Sequence, residues 1–231
     1  MGKKPLQIAI DGPVAAGKGD IAGRLARQLH ITYIYTGAMY RMLALSCIKK
    51  GIPLKDTKRV TAELSNISME LAPPPVGSTD RVITAILDGT DVTDRIMAPD
   101  TALGASDVGV IPQVRSRMVA LQQEMAKGKA VVMEGRDIGL RVLPDAQLKI
   151  FLTASVEERA KRRLAQWKTK GIEKTYDEVL ADTKIRDEQD CTRETDPLKI
   201  LPDSWILDTT TMNQDEVIDA IFKELARRKC L

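Results

Sequence analysis

The residues Gly12-Pro13-Val14-Ala15-Ala16-Gly17-Lys18 follow the pattern GxxxxGK. Glycines let backbone N–H groups close on phosphate oxygens. A helix starting at the lysine adds its partial positive charge, and the ammonium reaches a phosphate that is being transferred. That chemistry is phosphate capture without covalent attachment. Gly19 follows the lysine, where serine or threonine is the commoner residue. Two other groups have suggestive spacing. Arg186, Asp190 and Arg193 fall at i, i+4 and i+7 on one helix face, which by itself reads as an exposed ion-pair row worth about 0.3–0.5 kcal/mol per pair. Arg159, Arg162 and Arg163 sit at i, i+3 and i+4 on the preceding helix, where a solvated face is the simplest reading. One histidine, His30, and three cysteines, Cys47, Cys191 and Cys230, without CxxC spacing, supply neither a zinc cluster nor a Ser-His-Asp triad. No residue is assigned to a metal.

These residues need a scaffold, and the pattern around them supplies one. Residues 6–11 (LQIAID) are a short apolar run stopped by Gly12-Pro13, which predicts a buried strand ahead of the loop. Residues 18–29 place Ile21, Leu25 and Leu29 at helical spacing. A second strand at 32–35 and a helix at about 38–49 follow. Strands alternating with helices predict a parallel, doubly wound sheet. The pattern breaks at 57–94, where 67–71, 81–87 and 89–92 read as short strands with turns, an insertion in the main fold. A helix opens at Pro112, well placed for a first turn, and stops at Gly128. Residues 130–133 and 148–152 read as buried strands. Ser155-x-x-Glu158 and Thr175-x-x-Glu178 are capping boxes that each start a helix, within a charged helical hairpin at about 156–196. A last strand at 205–207 precedes a helix with Val217, Ile218, Ile221, Phe222 and Leu225 turned inward.

Composition narrows the function classes. The 231 residues are 43% apolar and 29% charged, which is ordinary globular chemistry. With two Phe, two Trp and four Tyr the core must be aliphatic, and a base-stacking platform for single-stranded nucleic acid is hard to build. A net charge of +3 is too small for a nucleic-acid footprint. No run approaches the roughly 18 apolar residues of a membrane span, and the opening MGKKPLQIAI is too short and polar for a signal peptide. Unpaired thiols fit a reducing compartment. The expectation is a cytoplasmic protein with small-molecule partners, no nucleic acid and no membrane, acting as a monomer.

Longer runs are more specific. Thr36-Gly37-Ala38-Met39-Tyr40-Arg41 comes first, then Ala105-Ser106-x-Val108 with Pro112-x-Val114-Arg115, then Gly135-Arg136-Asp137-Ile138-Gly139. Phe151-Leu152-x-Ala154-Ser155 follows, and then Arg186-Asp187-x-x-Asp190-x-x-Arg193-x-x-x-Pro197-Leu198. With the GKG of the loop, these resemble the bacterial cytidylate kinase family of P-loop nucleoside monophosphate kinases, over about residues 8–210. The resemblance implies an α/β P-loop kinase with a parallel sheet flanked by helices, a nucleotide-monophosphate insert and a helical lid. It implies ATP-dependent phosphorylation of CMP and dCMP with Mg²⁺. Gly12, Pro13, Val14, Ala15, Ala16, Gly17, Lys18, Gly19 and Asp20 would hold ATP. Thr36, Arg41 and Arg136 would hold the CMP phosphate. Ser106, Arg115 and Asp137 would read the base. Arg186 and Arg193 would close on phosphate with Asp190 near the ribose, and Arg159, Arg162 and Arg163 would face ATP. Lys18, Arg136, Arg186 and Arg193 form the catalytic set.

A carboxylate suits the cytosine N4 amino donor, whereas uracil would turn an acceptor toward it. Asp137 read alone is as readily a loop cap as a ligand. Several positions depart from the family. Val14-Ala15 replace a usual Ser-Gly, Asp20 stands for Thr, Tyr35 for the Asp before Thr-Gly, Glu134 for Asp, and Leu140-Arg141 for Thr-Val. One reading is that the acidic group has moved from position 35 to 20. The alternative function is a nucleotide-binding protein with weak or no kinase activity because of the altered loop.

Overall fold

A computed structural model describes residues 4–75, 83–169 and 171–230. In chain order the elements are β1 (Gln7–Asp11), α1 (Lys18–Leu29), β2 (Thr32–Tyr35), α2 (Thr36–Lys49), α3 (Thr57–Asn66), β3 (Met69–Ala72), β4 (Thr84–Leu87) and β5 (Thr90–Asp91). Then come α4 (Pro99–Gly109), α5 (Pro112–Ala126), β6 (Val131–Gly135), a π turn at Ile138–Val142, β7 (Leu148–Thr153), α6 (Val156–Lys168), α7 (Tyr176–Thr192), β8 (Trp205–Asp208) and α8 (Gln214–Arg227). The chain divides into two compact units, residues 1–32 with 128–231, and residues 33–127.

The first unit is built on parallel strands in the order β6-β1-β7-β8. Thr32, the first residue of β2, extends it beyond β6 through its N–H to the Ala130 carbonyl at 3.0 Å. Ile8, Ile10, Val132, Met133, Leu148 and Leu152 are fully buried, because a parallel sheet is covered on both faces and its strands read as apolar runs. α1 contributes Ile21 and Leu25 to the cover, and α8 contributes Val217, Ile218, Ile221 and Leu225, while Phe222 is only half-buried. α6 and α7 form an antiparallel-type hairpin whose second helix starts with a complete capping box at Thr175 and Glu178. At the start of α6 the box is half made. The Ser155 hydroxyl accepts the Glu158 N–H, but the Glu158 carboxylate turns to Arg162 instead.

The second unit packs α2, α4 and α5 with a small antiparallel sheet, β3-β4-β5, around Met39, Met42, Leu43, Leu45, Ile96 and Met118. The expected strands are present in shortened form, although the first residues of the run expected at 81–87 lie outside the described residues. Two helices were not expected. α3 is capped by Asp56, whose side chain accepts the Arg59 N–H, and buries Val60 and Leu64. α4 begins with Pro99 in its first turn and buries Thr101, Gly104 and Val108. α2 starts at Thr36, not near residue 38. Among the described residues no helix is long and apolar enough to cross a membrane.

Candidate active site

The loop between β1 and α1 is shaped by three unusual backbone angles. Gly12 has φ +154°, and a Cβ there would lie 2.0 Å from the Leu152 carbonyl oxygen, so only glycine lets the loop start this close to β7. Gly17 precedes α1 in the left-handed region at φ +88°. Ala15 also takes a left-handed angle, φ +58°, where the resembled family carries glycine. Lys18 is 5% exposed and folds back over the loop, donating from Nζ to the carbonyls of Gly12 at 2.8 Å and Pro13 at 2.7 Å. Burial pushes its ammonium down to about 7. Arg136 adds repulsion, and Glu134, Asp190 and Asp11 oppose the shift. Asp20 is exposed in the first turn of α1, where a carboxylate complements the helix dipole.

Beyond the end of β6, Arg136 and Asp137 meet the end of α7. Arg136 Nε donates to Asp190 Oδ2 at 2.6 Å, and Arg186 approaches Asp190 Oδ1 at 3.6 Å. Arg193 lies 3.7 Å from Asp137 Oδ1 and donates to the Asp196 carbonyl from both Nε and Nη2. Burial works against ionising Asp190, but Arg136, Arg186 and Arg193 outweigh it and hold the carboxyl down at about 2. The spacing reading needs correction on two counts. Asp190 is buried, so the set is not an exposed row, and Arg193 caps α7 outside the helix rather than continuing its face.

The arginines of α6 are held by protein partners. Arg159 is 5% exposed, pairs bidentately with Asp187 at 3.0 and 2.6 Å, and donates to the Ala154 and Val14 carbonyls. Arg162 bonds Glu158 and both oxygens of Thr209. Arg163 lies over the Trp167 ring, 4.9 Å from its centroid. Sequence spacing missed Asp187 and Asp11 as partners of the site, although Asp187 lies inside the 186–193 motif and Asp11 directly precedes the loop.

Thr36, Arg41, Ser106 and Arg115 belong to the second unit. Thr36 is buried as the first residue of α2, and Arg41 donates to the Ile96 carbonyl at 3.0 Å. Arg115 is 2% exposed, donates to the Gly109 carbonyl at 3.2 Å and sits 6.0 Å from the centre of the Tyr40 ring. Ser106 is one turn before Gly109 on α4, and its buried Oγ has no hydrogen-bond partner among the described residues. A buried hydroxyl without a partner costs about 1–3 kcal/mol.

A parallel sheet with a glycine-rich loop after its first strand, a lysine folded into that loop and arginines gathered on buried carboxylates beyond the strand ends defines a P-loop nucleotide-binding enzyme. The chain belongs to the cytidylate kinase family, whose model matches residues 8–227. It is 44% identical over 220 residues to the cytidylate kinase of Caldicellulosiruptor bescii, covering 95% of each chain. It is 41% identical over 226 residues to that of Geobacillus kaustophilus, covering 98% of this chain and 99% of the relative. Among solved structures, an uncharacterized protein from Eubacterium ventriosum shares the fold at a TM-score of 0.52 and 13% identity, over 96% of this chain and 98% of that one.

Proposed function

We propose that the chain transfers the γ-phosphoryl group of ATP to CMP and dCMP, giving CDP and dCDP. The observation that carries this reading is the cluster of half-buried Arg136, Arg186 and Arg193 around the buried carboxylates of Asp190 and Asp137, in the same unit as the phosphate loop. Phosphoryl transfer between nucleotides needs positioning and charge neutralisation more than covalent chemistry. The nucleophile is a CMP phosphate oxygen, mostly dianionic at neutral pH with a second pKa of about 6, so no general base is required. Lys18 and the amides of residues 12–20 hold the ATP phosphates. Thr36, Arg41 and Arg136 take the CMP phosphate, and the planar guanidinium forks suit bidentate phosphate contacts. Ser106, Arg115 and Asp137 read cytosine, Asp190 meets the ribose, and Arg186 and Arg193 clamp phosphate as the 156–196 hairpin closes as a lid. Residues 57–94 form the nucleotide-monophosphate insert.

Mg²⁺ keeps most of its waters and needs only one or two carboxylates beside the phosphates. Asp20 in the first turn of α1 and Glu134 in β6 supply carboxylates on the elements that flank the loop and the strand end. Asp20 and Glu134 would hold it through water, and Glu134 is close enough to the loop to raise the Lys18 pKa. The ion supplies charge neutralisation on the transferring phosphate. The protein works as a monomer in the cytoplasm on free nucleotides. No relative favours the alternative of a binding protein without kinase activity.

A coupled ADP-release assay with CMP, dCMP, UMP and AMP tests the reading. One good bidentate base contact is worth about 1–3 kcal/mol, so CMP and dCMP should exceed UMP at least about tenfold in kcat/KM. Asp137→Ala should lower CMP turnover and leave ATP binding nearly intact. Equal rates with UMP would overturn the base-reading assignment.

A further inference from the structure

Asp11 is the last residue of β1, directly before the first loop glycine, and is 8% exposed. Its Oδ1 accepts the Ile138 N–H and its Oδ2 the Gly139 N–H, both at 2.8 Å. Those amides open the π turn, and the two residues before them are Arg136 and Asp137. N–H groups at the start of a helical turn have no acceptor within the turn, so this carboxylate anchors the chain as it leaves β6. The fit is close. A Cβ at Gly139 would meet Lys149 Cδ at 3.1 Å, Leu201 Cδ1 at 3.3 Å and Asp11 Oδ2 at 3.4 Å.

We propose that Asp11 is a positioning residue for the transfer. Through the Ile138 and Gly139 amides it fixes where Arg136 and Asp137 present their side chains, in register with the loop that begins one residue after it. The inference rests on reading Arg136 and Asp137 as CMP contacts. An asparagine would keep one acceptor but turn its amide N–H₂ against the second backbone N–H, so one bond is lost and a donor–donor contact appears. Burial raises the Asp11 pKa to about 6, against the two amide bonds. Asp137 raises it further and Lys18 lowers it. The charged groups facing Asp11 are Lys18 from α1, Asp137 just beyond β6, and Lys149 from β7. A carboxylate kept at this cost does more than pack.

The test compares CMP and UMP kinetics in the wild type and in Asp11→Asn. Misplaced contacts cost about tenfold or more, so Asp11→Asn should raise the KM for CMP about that much, change the KM for ATP less, and narrow the CMP-over-UMP preference. A purely structural role would lower Tm and leave these constants alone. Both nucleotides carry the same phosphate, so their kcat/KM ratio cancels its titration. In the wild type that ratio should fall as pH drops from about 7.5 through about 6, and in Asp11→Asn it should be flat. A KM for CMP within about twofold of wild type in the folded variant overturns the proposal. So does a wild-type ratio that does not move with pH, a result that needs no variant. Arg136→Ala runs alongside. If it leaves the KM for CMP unchanged, the CMP-site reading fails and takes this inference with it. If it raises KM while Asp11→Asn does not, only the inference fails.

Discussion

Ala15 adopts φ +58°, a left-handed conformation that costs an L-residue about 1–2 kcal/mol. The neighbouring Val14 carbonyl is held by Arg159 Nη1 at 3.1 Å, which helps fix this strained shape. Ala15→Gly relieves the strain but frees the unfolded chain, a loss of about 0.4–1 kcal/mol. The sum should be a gain of about 0.5 kcal/mol; a loss above about 1 kcal/mol in urea unfolding contradicts it. At this scale the loop was legible, since glycine spacing before a lysine is a local code. Partnerships were not legible. Asp137 facing Arg193, and Arg159 holding Asp187, join residues far apart in sequence, and spacing along one helix carries no information about another element.

Elements were legible where the hydrophobic period was strong or a cap was spelled out. β1, α1, β2, α5, β7 and α8 follow apolar runs or stripes, and Thr175 with Glu178 marks the start of α7. α4 was missed because its buried face is made of small residues. A Cβ on Gly104 would lie 2.8 Å from Leu54 Cδ1 and 3.2 Å from the Ala44 Cβ, so close helix packing replaces the usual apolar stripe. α3 was missed because its cap, Asp56, lacks the glutamate of a capping box. The α6–α7 hairpin separates two kinds of arginine. Arg159 is tied to Asp187 across the hairpin in a nearly buried pair, and breaking such a pair strands a charge. Arg159→Ala should therefore cost about 2–4 kcal/mol in urea unfolding. Arg163→Ala loses a half-exposed cation–π contact with Trp167 and should cost no more than about 1 kcal/mol. Equal losses would mean that the Arg159 pair does not hold the hairpin.

For the whole molecule, the residues of the first unit gather at the carboxyl ends of its parallel strands. Gly12 follows β1, Arg136 follows β6, Ser155 follows β7 and Thr209 follows β8, the edge where open α/β sheets bind ligands. Charged groups in this unit make stability depend on pH in opposite directions. Asp190 is held at about 2, and Glu224 is lowered to about 2 by Arg227 and Arg228. Their stabilisation is complete above the unfolded carboxylate pKa of about 4 and is lost as pH falls toward 2. Asp11 works the other way. Its folded pKa of about 6 exceeds the unfolded value, so the folded state takes up a proton first and stability rises as pH falls from about 7 to about 4. Lys18, lowered to about 7, costs stability as pH falls from about 8 to about 6, which offsets part of the Asp11 gain, and adds little slope below that. Two pKa units correspond to about 2–3 kcal/mol. Urea unfolding should thus show maximum stability near pH 4–5, a gain of about 1 kcal/mol over pH 6.5, and Asp11→Asn should flatten that rise while leaving the acid limb in place. A wild-type curve already falling between pH 7 and 5 would mean that Asp11 is not raised by its burial. With the rise present, the acid that stabilises the fold is the same acid that loosens the turn carrying Arg136 and Asp137, so stability and CMP-over-UMP selectivity should move in opposite directions across pH 6.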